Sequence, residues 1–315
     1  MYSRFFVLFA ILFTGWALRK TNFIDDKMDH SINKLIIYFA YPCMIVHNIG
    51  SIEMSGQVIV NFVLTFFISL GSLYLYSAIA YGYSKMLHLP REISNVAEFA
   101  MVAPNNGFMG FPVTLLFFGE QGLLLMLAHN SAMNFYLFTY GLKLMKRNRS
   151  DRMKKTPKSV MKAAFRLITN PNIIALCVGF ILSVFSIPIP EAVDDYLVYI
   201  GDISTPMAMI FIGSSLVKYK FTDIIRSAMV IECSVMKLII LPLITTGIMY
   251  FLPVSPLIKC IVILGACFPT AANVPMFAEQ EGQDIGTGSR VLFLSTVASM
   301  ITIPLSVTAL NFLFM

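Results

Sequence analysis

Ten stretches of mostly apolar residues follow one another with little between them, at 4–18, 31–50, 57–84, 94–118, 122–145, 170–188, 191–216, 224–252, 256–278 and 286–313. A bilayer span needs about 20 such residues, so an all-α polytopic membrane fold of ten transmembrane helices is the expectation. The first stretch is short and has to extend into its flanks to cross. The balance of residue types agrees. Apolar and aromatic types make up 57% and charged types 13%, with a mean hydropathy of +0.76, whereas soluble domains carry roughly a quarter charged residues. Disordered, fibrous and nucleic-acid-binding classes are excluded, and no connection is long enough for an enzyme-sized soluble module. The first run, Phe5 to Leu18, lacks an A-x-A-like cleavage site and reads as a span.

The net charge of +6 is a topology signal beside anionic lipid rather than a nucleic-acid footprint. All of the 23 lysines and arginines except Arg4, Lys237 and Lys259 fall in the odd-numbered connections. Positive-inside bias puts those connections in the cytoplasm and both termini outside a cell membrane. The segment from Lys143 to Arg166 holds a single acid, Asp151. Residues 146–168 therefore read as a basic cytoplasmic linker between five-helix halves at 1–145 and 169–315. Its later part, Ser159–Ile168, is either a solvated loop or a basic surface stretch. The cysteines at 43, 177, 233, 260 and 267 lie in or beside apolar runs without C-x-x-C spacing, so they read as buried thiols.

The halves echo one another. Gly15 precedes Pro42 by the interval that separates Gly179 from Pro206, and Pro104 recurs as Pro269. At that offset Asn130 falls on Ser295 and Asn134 on Ser299. Five spans per half is an odd number, so the second copy enters the membrane from the opposite side. Inverted repeats of this kind build many secondary transporters.

Spans four and nine are interrupted. The fourth reads Ala103-Pro104-Asn105-Asn106-Gly107-Phe108-Met109-Gly110-Phe111-Pro112, and the ninth Phe268-Pro269-Thr270-Ala271-Ala272-Asn273-Val274-Pro275. Proline removes a backbone donor and clashes with the preceding turn. Freed backbone groups are tolerated at membrane depth only when buried in protein or lining a cavity. Two matched breaks in inverted halves should cross near the midplane, where half-helix N-termini and the amides of Asn105, Asn106 and Asn273 suit a carboxylate. Simple kinking is the bland alternative.

Asn130 and Asn134, and Ser295 and Ser299, share helix faces at i and i+4. They read as support for the crossover or as interhelical glue. Ionisable residues inside spans are functional candidates by default. Here these are Glu98, about a turn and a half before the first break, Glu232 and Lys237 in the eighth span, and His47, five residues after Pro42. Structural pairing is the alternative for the last three. Neither a metal-ligand cluster nor a nucleophile–base constellation appears, so no cofactor, metal or enzymatic chemistry is expected.

Several of these blocks resemble the auxin efflux carrier family, which includes bacterial malate and malonate carriers and plant auxin exporters. They are Gly15-Trp16-Ala17-Leu18-Arg19, Asn33-Lys34-Leu35 with Tyr41-Pro42, and Asn105 to Pro112 leading to Phe118-Gly119-Glu120. Asn170-Pro171, Pro206 with Gly213-Ser214-Ser215-Leu216, and Phe268-Pro269-Thr270-Ala271 running to Phe277-Ala278-Glu279 continue the likeness. The resemblance implies a bile-acid-symporter-like fold. Spans 1, 2, 6 and 7 would form a scaffold that dimerises, and spans 3–5 and 8–10 a transport domain carrying the crossover, with substrate held between them. The family's crossover asparagines and prolines carry over to Pro104, Asn105, Asn106, Pro269 and Asn273, and the resemblance matches His47 to a histidine of the plant members; with Gly107 and Thr270 in the same two breaks, these are the expected substrate contacts. The long cytoplasmic loop of many plant exporters is absent. Bile-acid symporters use a glutamate in the ninth-span break for sodium, whereas no acid lies between Leu257 and Ala278. A proton is thus expected before sodium as coupling ion.

The expected function is elevator-type secondary transport or uniport of a small organic anion, a mono- or dicarboxylate or auxin-like compound, in the direction of efflux. A sodium- or proton-coupled carboxylate importer and a non-transporting membrane sensor or scaffold are the alternatives.

Overall fold

A computed structural model describes residues 2–53, 55–87, 89–145, 169–217 and 227–314. The linker 146–168, with its Ser159–Ile168 stretch, and the bases Lys218, Lys220 and Arg226 lie outside the described residues. The helices are α1 Tyr2–Lys20, α2 Asp26–Leu35, α3 Tyr41–Gly50, α4 Gly56–Met86, α5 Arg91–Val102, α6 Phe111–Tyr136 and α7 Leu142–Met145. After the linker come α8 Pro171–Val184, α9 Glu191–Asp202, α10 Ser204–Leu216, α11 Ala228–Val235, α12 Leu241–Phe251, α13 Pro256–Cys267, α14 Val274–Gln280 and α15 Ile285–Phe314. Among the described residues there is no strand, only one isolated bridge. Among the described residues, five helical segments are long and apolar enough to cross a bilayer: Gly56–Met86, Asn106–Met145, Glu191–Leu216, Ala228–Phe251 and Ile285–Phe314. The fold is that of a polytopic membrane protein. The short first stretch does extend, since α1 runs from Tyr2 to Lys20.

Local chemistry sets the helix limits. Asp25 caps α2 by accepting from Met28 N at 2.7 Å, and Asn170 and Ser255 cap α8 and α13 ahead of Pro171 and Pro256. Side-chain caps and a proline at the first helical position both relieve the unpaired N–H groups of a helix start. Three π-helical turns, Ile36–Ala40, Asn106–Gly110 and Met236–Ile240, each precede a proline at Pro42, Pro112 or Pro242. The residue four before each proline, Tyr38, Phe108 or Leu238, is the middle of its turn. Its carbonyl is the one that the ring pushes away and that loses its donor, so the turn widens. The segment from Asn106 bends at Gly119 (φ 64°, ψ −162°), a conformation left to glycine.

The chain divides into two compact units. The first takes the described residues of Met1–Phe62, Phe111–Leu127 and Lys155–Lys218. In it α1 packs on α10 and α3 on α8 and α9. Glycines permit these approaches: a Cβ at Gly15 would overlap the backbone of Ile210, one at Gly213 that of Leu12, and one at Gly179 would lie 2.9 Å from Ile49 Cβ. Arg19 ties α1 to α2 through Asp26 (2.6 Å) and Asp29 (3.6 Å), and Ser214 of α10 donates to Asp29 at 2.6 Å.

The second unit takes the described residues of Val63–Gly110, Ala128–Lys154 and Tyr219–Met315. Here α15 packs against α5, α11, α13 and α14. The core of this unit is unusually polar for its burial, with Asn95, Glu98, Asn106, His129, Lys237, Thr270, Ser295 and Ser299 almost wholly inaccessible.

Candidate functional site

The centre of the second unit is where its two broken helices meet. A residue preceding proline is steered out of the helical region, and this stops both. Ala103 turns extended (φ −73°, ψ 109°) before Pro104, and Phe268 does the same (φ −67°, ψ 145°) before Pro269. The freed stretches then satisfy each other. Pro104 and Thr270 form an antiparallel bridge in which Asn105 N donates to Pro269 O at 2.8 Å and Ala271 N to Ala103 O at 2.9 Å. Thr270 is held further: its hydroxyl donates to Ala100 O at 2.8 Å, and its N–H donates to Ser295 Oγ at 3.1 Å. This is how the backbone groups released by two prolines are kept paired inside the protein.

Around this bridge the side chains are left with capacity to spare. Asn105 is 4% and Asn106 1% exposed. Neither amide atom of Asn106 has a hydrogen-bond partner, and neither does Asn273 Oδ1. Gly107 and Asn273 are half-buried. Ser299 donates to Thr296 O at 2.6 Å and lies 3.7 Å from Met109 Sδ, so the α15 serines back both arms of the crossover. Asn130 and Asn134 are half-buried on α6.

The ionisable candidates separate. Glu98 is buried in α5, its Oε1 accepting from Ser84 Oγ (2.5 Å) and Ser94 Oγ (2.9 Å). Lys237, fully buried, donates to Val102 O at 3.4 Å. No ion pair joins it to Glu232, which accepts from the Tyr83 hydroxyl at 3.2 Å. His47 belongs to the first unit, where its Nδ1 meets Asp194 Oδ1 at 2.6 Å. It borders a cavity of about 130 Å³ that Asn48, Asp202 and Thr205 also line.

Sequence reasoning passed over His129, Asn95 and Asp194. His129 is buried with both ring nitrogens unpartnered, and its ring fills the space where any side chain at Gly265 would go. Its neighbour Asn130 had drawn the attention, through the Asn130–Asn134 spacing. Asn95 is fully buried with both amide atoms unpartnered. Asp194 had one visible signal, the acidic run Glu191, Asp194, Asp195 opening α9. Among the described residues no group of three or more metal-type side chains gathers.

The comparison with known proteins is decided at the scale of the whole chain. A family described as Membrane transport protein matches residues 1–307. The chain belongs to that family. It is the auxin efflux carrier family that the sequence motifs resemble, and it makes this chain a multi-pass membrane transport protein. An uncharacterized transporter of Methanothermobacter thermautotrophicus is 25% identical over 296 residues, 94% of each chain. Another, from Methanocaldococcus jannaschii, is 23% identical over 305 residues, 95% of each. Neither name states a cargo.

Proposed function

We propose that this member of the Membrane transport protein family carries a small organic anion, a mono- or dicarboxylate, across the cell membrane by an elevator-type movement. The crossover of Pro104 and Thr270 is the observation that carries the reading. It holds unused hydrogen-bonding capacity, in both amide atoms of the buried Asn106 and in Oδ1 of the half-buried Asn273, around backbone already paired to itself. Amide donors and the N-terminal end of the segment that restarts at Asn106 suit a carboxylate.

In this reading the chain has ten spans in two inverted repeats. The glycine packing supports it: Gly15 and Gly179, equivalent in the two halves, each lie against the second span of the opposite half. The unit built from α1–α3 and α8–α10 acts as the scaffold and dimerises through its helices, and the unit bearing the crossover acts as the carrier. Both termini face outward. An inside-negative potential acts on net charge at about 2.3 kcal/mol per charge per 100 mV, so it favours export of any loaded carrier that is net negative.

The test is a thermal-shift screen of the purified protein against malate, malonate and indole-acetate, followed by flux in proteoliposomes. Asn105→Ala, Asn106→Ala and Asn273→Ala each leave a bound carboxylate short of a partner, a loss of about 1–3 kcal/mol. Binding should weaken about 5- to 150-fold while the fold survives. Wild-type affinity in all three variants would sink the crossover assignment.

A further inference from the structure

We infer that the cavity beside His47 binds a small primary ammonium ion with a short apolar tail. Every residue that borders this cavity belongs to the first unit. The site stands or falls independently of the carboxylate reading, whose asparagines belong to the second unit.

Two helices build most of the cavity. On α3, Met44, His47 and Asn48 share a face at i, i+3 and i+4. On α9, Asp202 closes a face that begins with Asp194. The helices approach because Gly201 has no side chain: a Cβ there would lie 2.9 Å from Met44 Cα.

Charge decides the class of ligand. Among the described residues no lysine or arginine borders the cavity. Asp202 is exposed, so an incoming ligand can reach it, and its carboxylate has no partner among the described residues. His47 is the one basic side chain of the wall, and its Nδ1 meets Asp194 Oδ1 at 2.6 Å. Protonated, His47 cancels Asp194; neutral, it leaves that charge standing. An ionised Asp202 keeps the sum negative in either state, so anions are repelled and cations drawn in. Asp202 is also the last residue of α9, at the negative end of the helix dipole, where a carboxylate is disfavoured. A bound cation answers both the side chain and the helix end.

The acceptors suit an ammonium in particular. Asn48 Nδ2 donates to Met44 O at 2.7 Å, which leaves Oδ1 as the free end of the amide. The Thr205 hydroxyl has no partner among the described residues. With Asp202, these acceptors match the donors of a primary ammonium. Leu115, Leu197 and Val198 make the rest of the wall apolar. A metal ion takes a full shell of oxygen ligands, whereas an alkylammonium has a tail to lay against such a wall. The cavity holds about 130 Å³. A cavity of about 150 Å³ admits benzene, so a ligand of about five or six non-hydrogen atoms fits.

The experiment follows the thermal midpoint of the purified full-length protein in detergent, at neutral pH and fixed ionic strength. The probes are n-butylammonium, n-butanol and butyrate, which share a chain length and differ in the charge of the head. The ammonium should raise the midpoint saturably, and the other two should not. Asp202→Asn keeps the shape and removes the charge, and should weaken ammonium binding about tenfold or more, the worth of a charged hydrogen bond. An equal response to n-butanol or butyrate, an undiminished response in Asp202→Asn, or equal stabilisation by sodium ions overturns the assignment. If Asp202→Asn does not fold, Thr205→Val serves instead: it should weaken binding about threefold or more, and an unmoved affinity rejects the site. Malonate binding with no ammonium response rejects this site and leaves the carboxylate reading standing. An ammonium response without any carboxylate binding does the reverse.

Discussion

Asn106 illustrates what a buried amide without partners costs the fold. A buried polar group without a partner is unfavourable by about 1–3 kcal/mol, and both atoms of this amide are in that state. Asn106→Leu should therefore raise the unfolding free energy by about 1–3 kcal/mol while abolishing carboxylate binding, as thermal unfolding with and without ligand would reveal. A lowered midpoint would make the amide a structural group. The asparagines of the crossover were legible in the sequence because they sit between helix-breaking residues, where a polar side chain has little other reason to be. The partners of the ionisable residues were not. His47 meets Asp194 across 147 residues of chain, and Glu98 meets Ser84 from a neighbouring helix. No local spacing encodes either contact.

Between helices, small residues decide how closely backbones approach. Gly15 and Gly179 have no room for a side chain, whereas Gly71 and Gly247 meet nothing within 4 Å. Overpacking typically costs about 1–3 kcal/mol, so Gly15→Val and Gly179→Val should each lower the thermal midpoint in detergent. Gly71→Val and Gly247→Val should leave it nearly unchanged; equal losses at all four positions would point to helix propensity rather than packing. The apolar stretches and their prolines announced most of the helices, and the pre-proline rule accounts for both breaks of the crossover. The widened turns were not legible as such. Three of them follow from Pro42, Pro112 and Pro242, but Leu137–Gly141 widens with no proline after it.

For the molecule as a whole, the distribution of lysine and arginine predicts an orientation that labelling can read. In a background without the native cysteines, Glu120→Cys should react with an impermeant maleimide on intact cells. Lys85→Cys should react only after permeabilisation. Both positions are exposed, so the reverse pattern would invert the topology. The hydrogen bonds between the two broken stretches have a consequence for how such a protein diversifies. The paired donors and acceptors of the bridge at Pro104 and Thr270 are main-chain atoms, indifferent to which side chains stand at positions 105, 106 and 273. Under the proposed carrier reading, mutation at those three positions changes what is recognised while the fastening stays closed, so a lineage of such carriers is free to exchange one cargo for another without reinventing the joint.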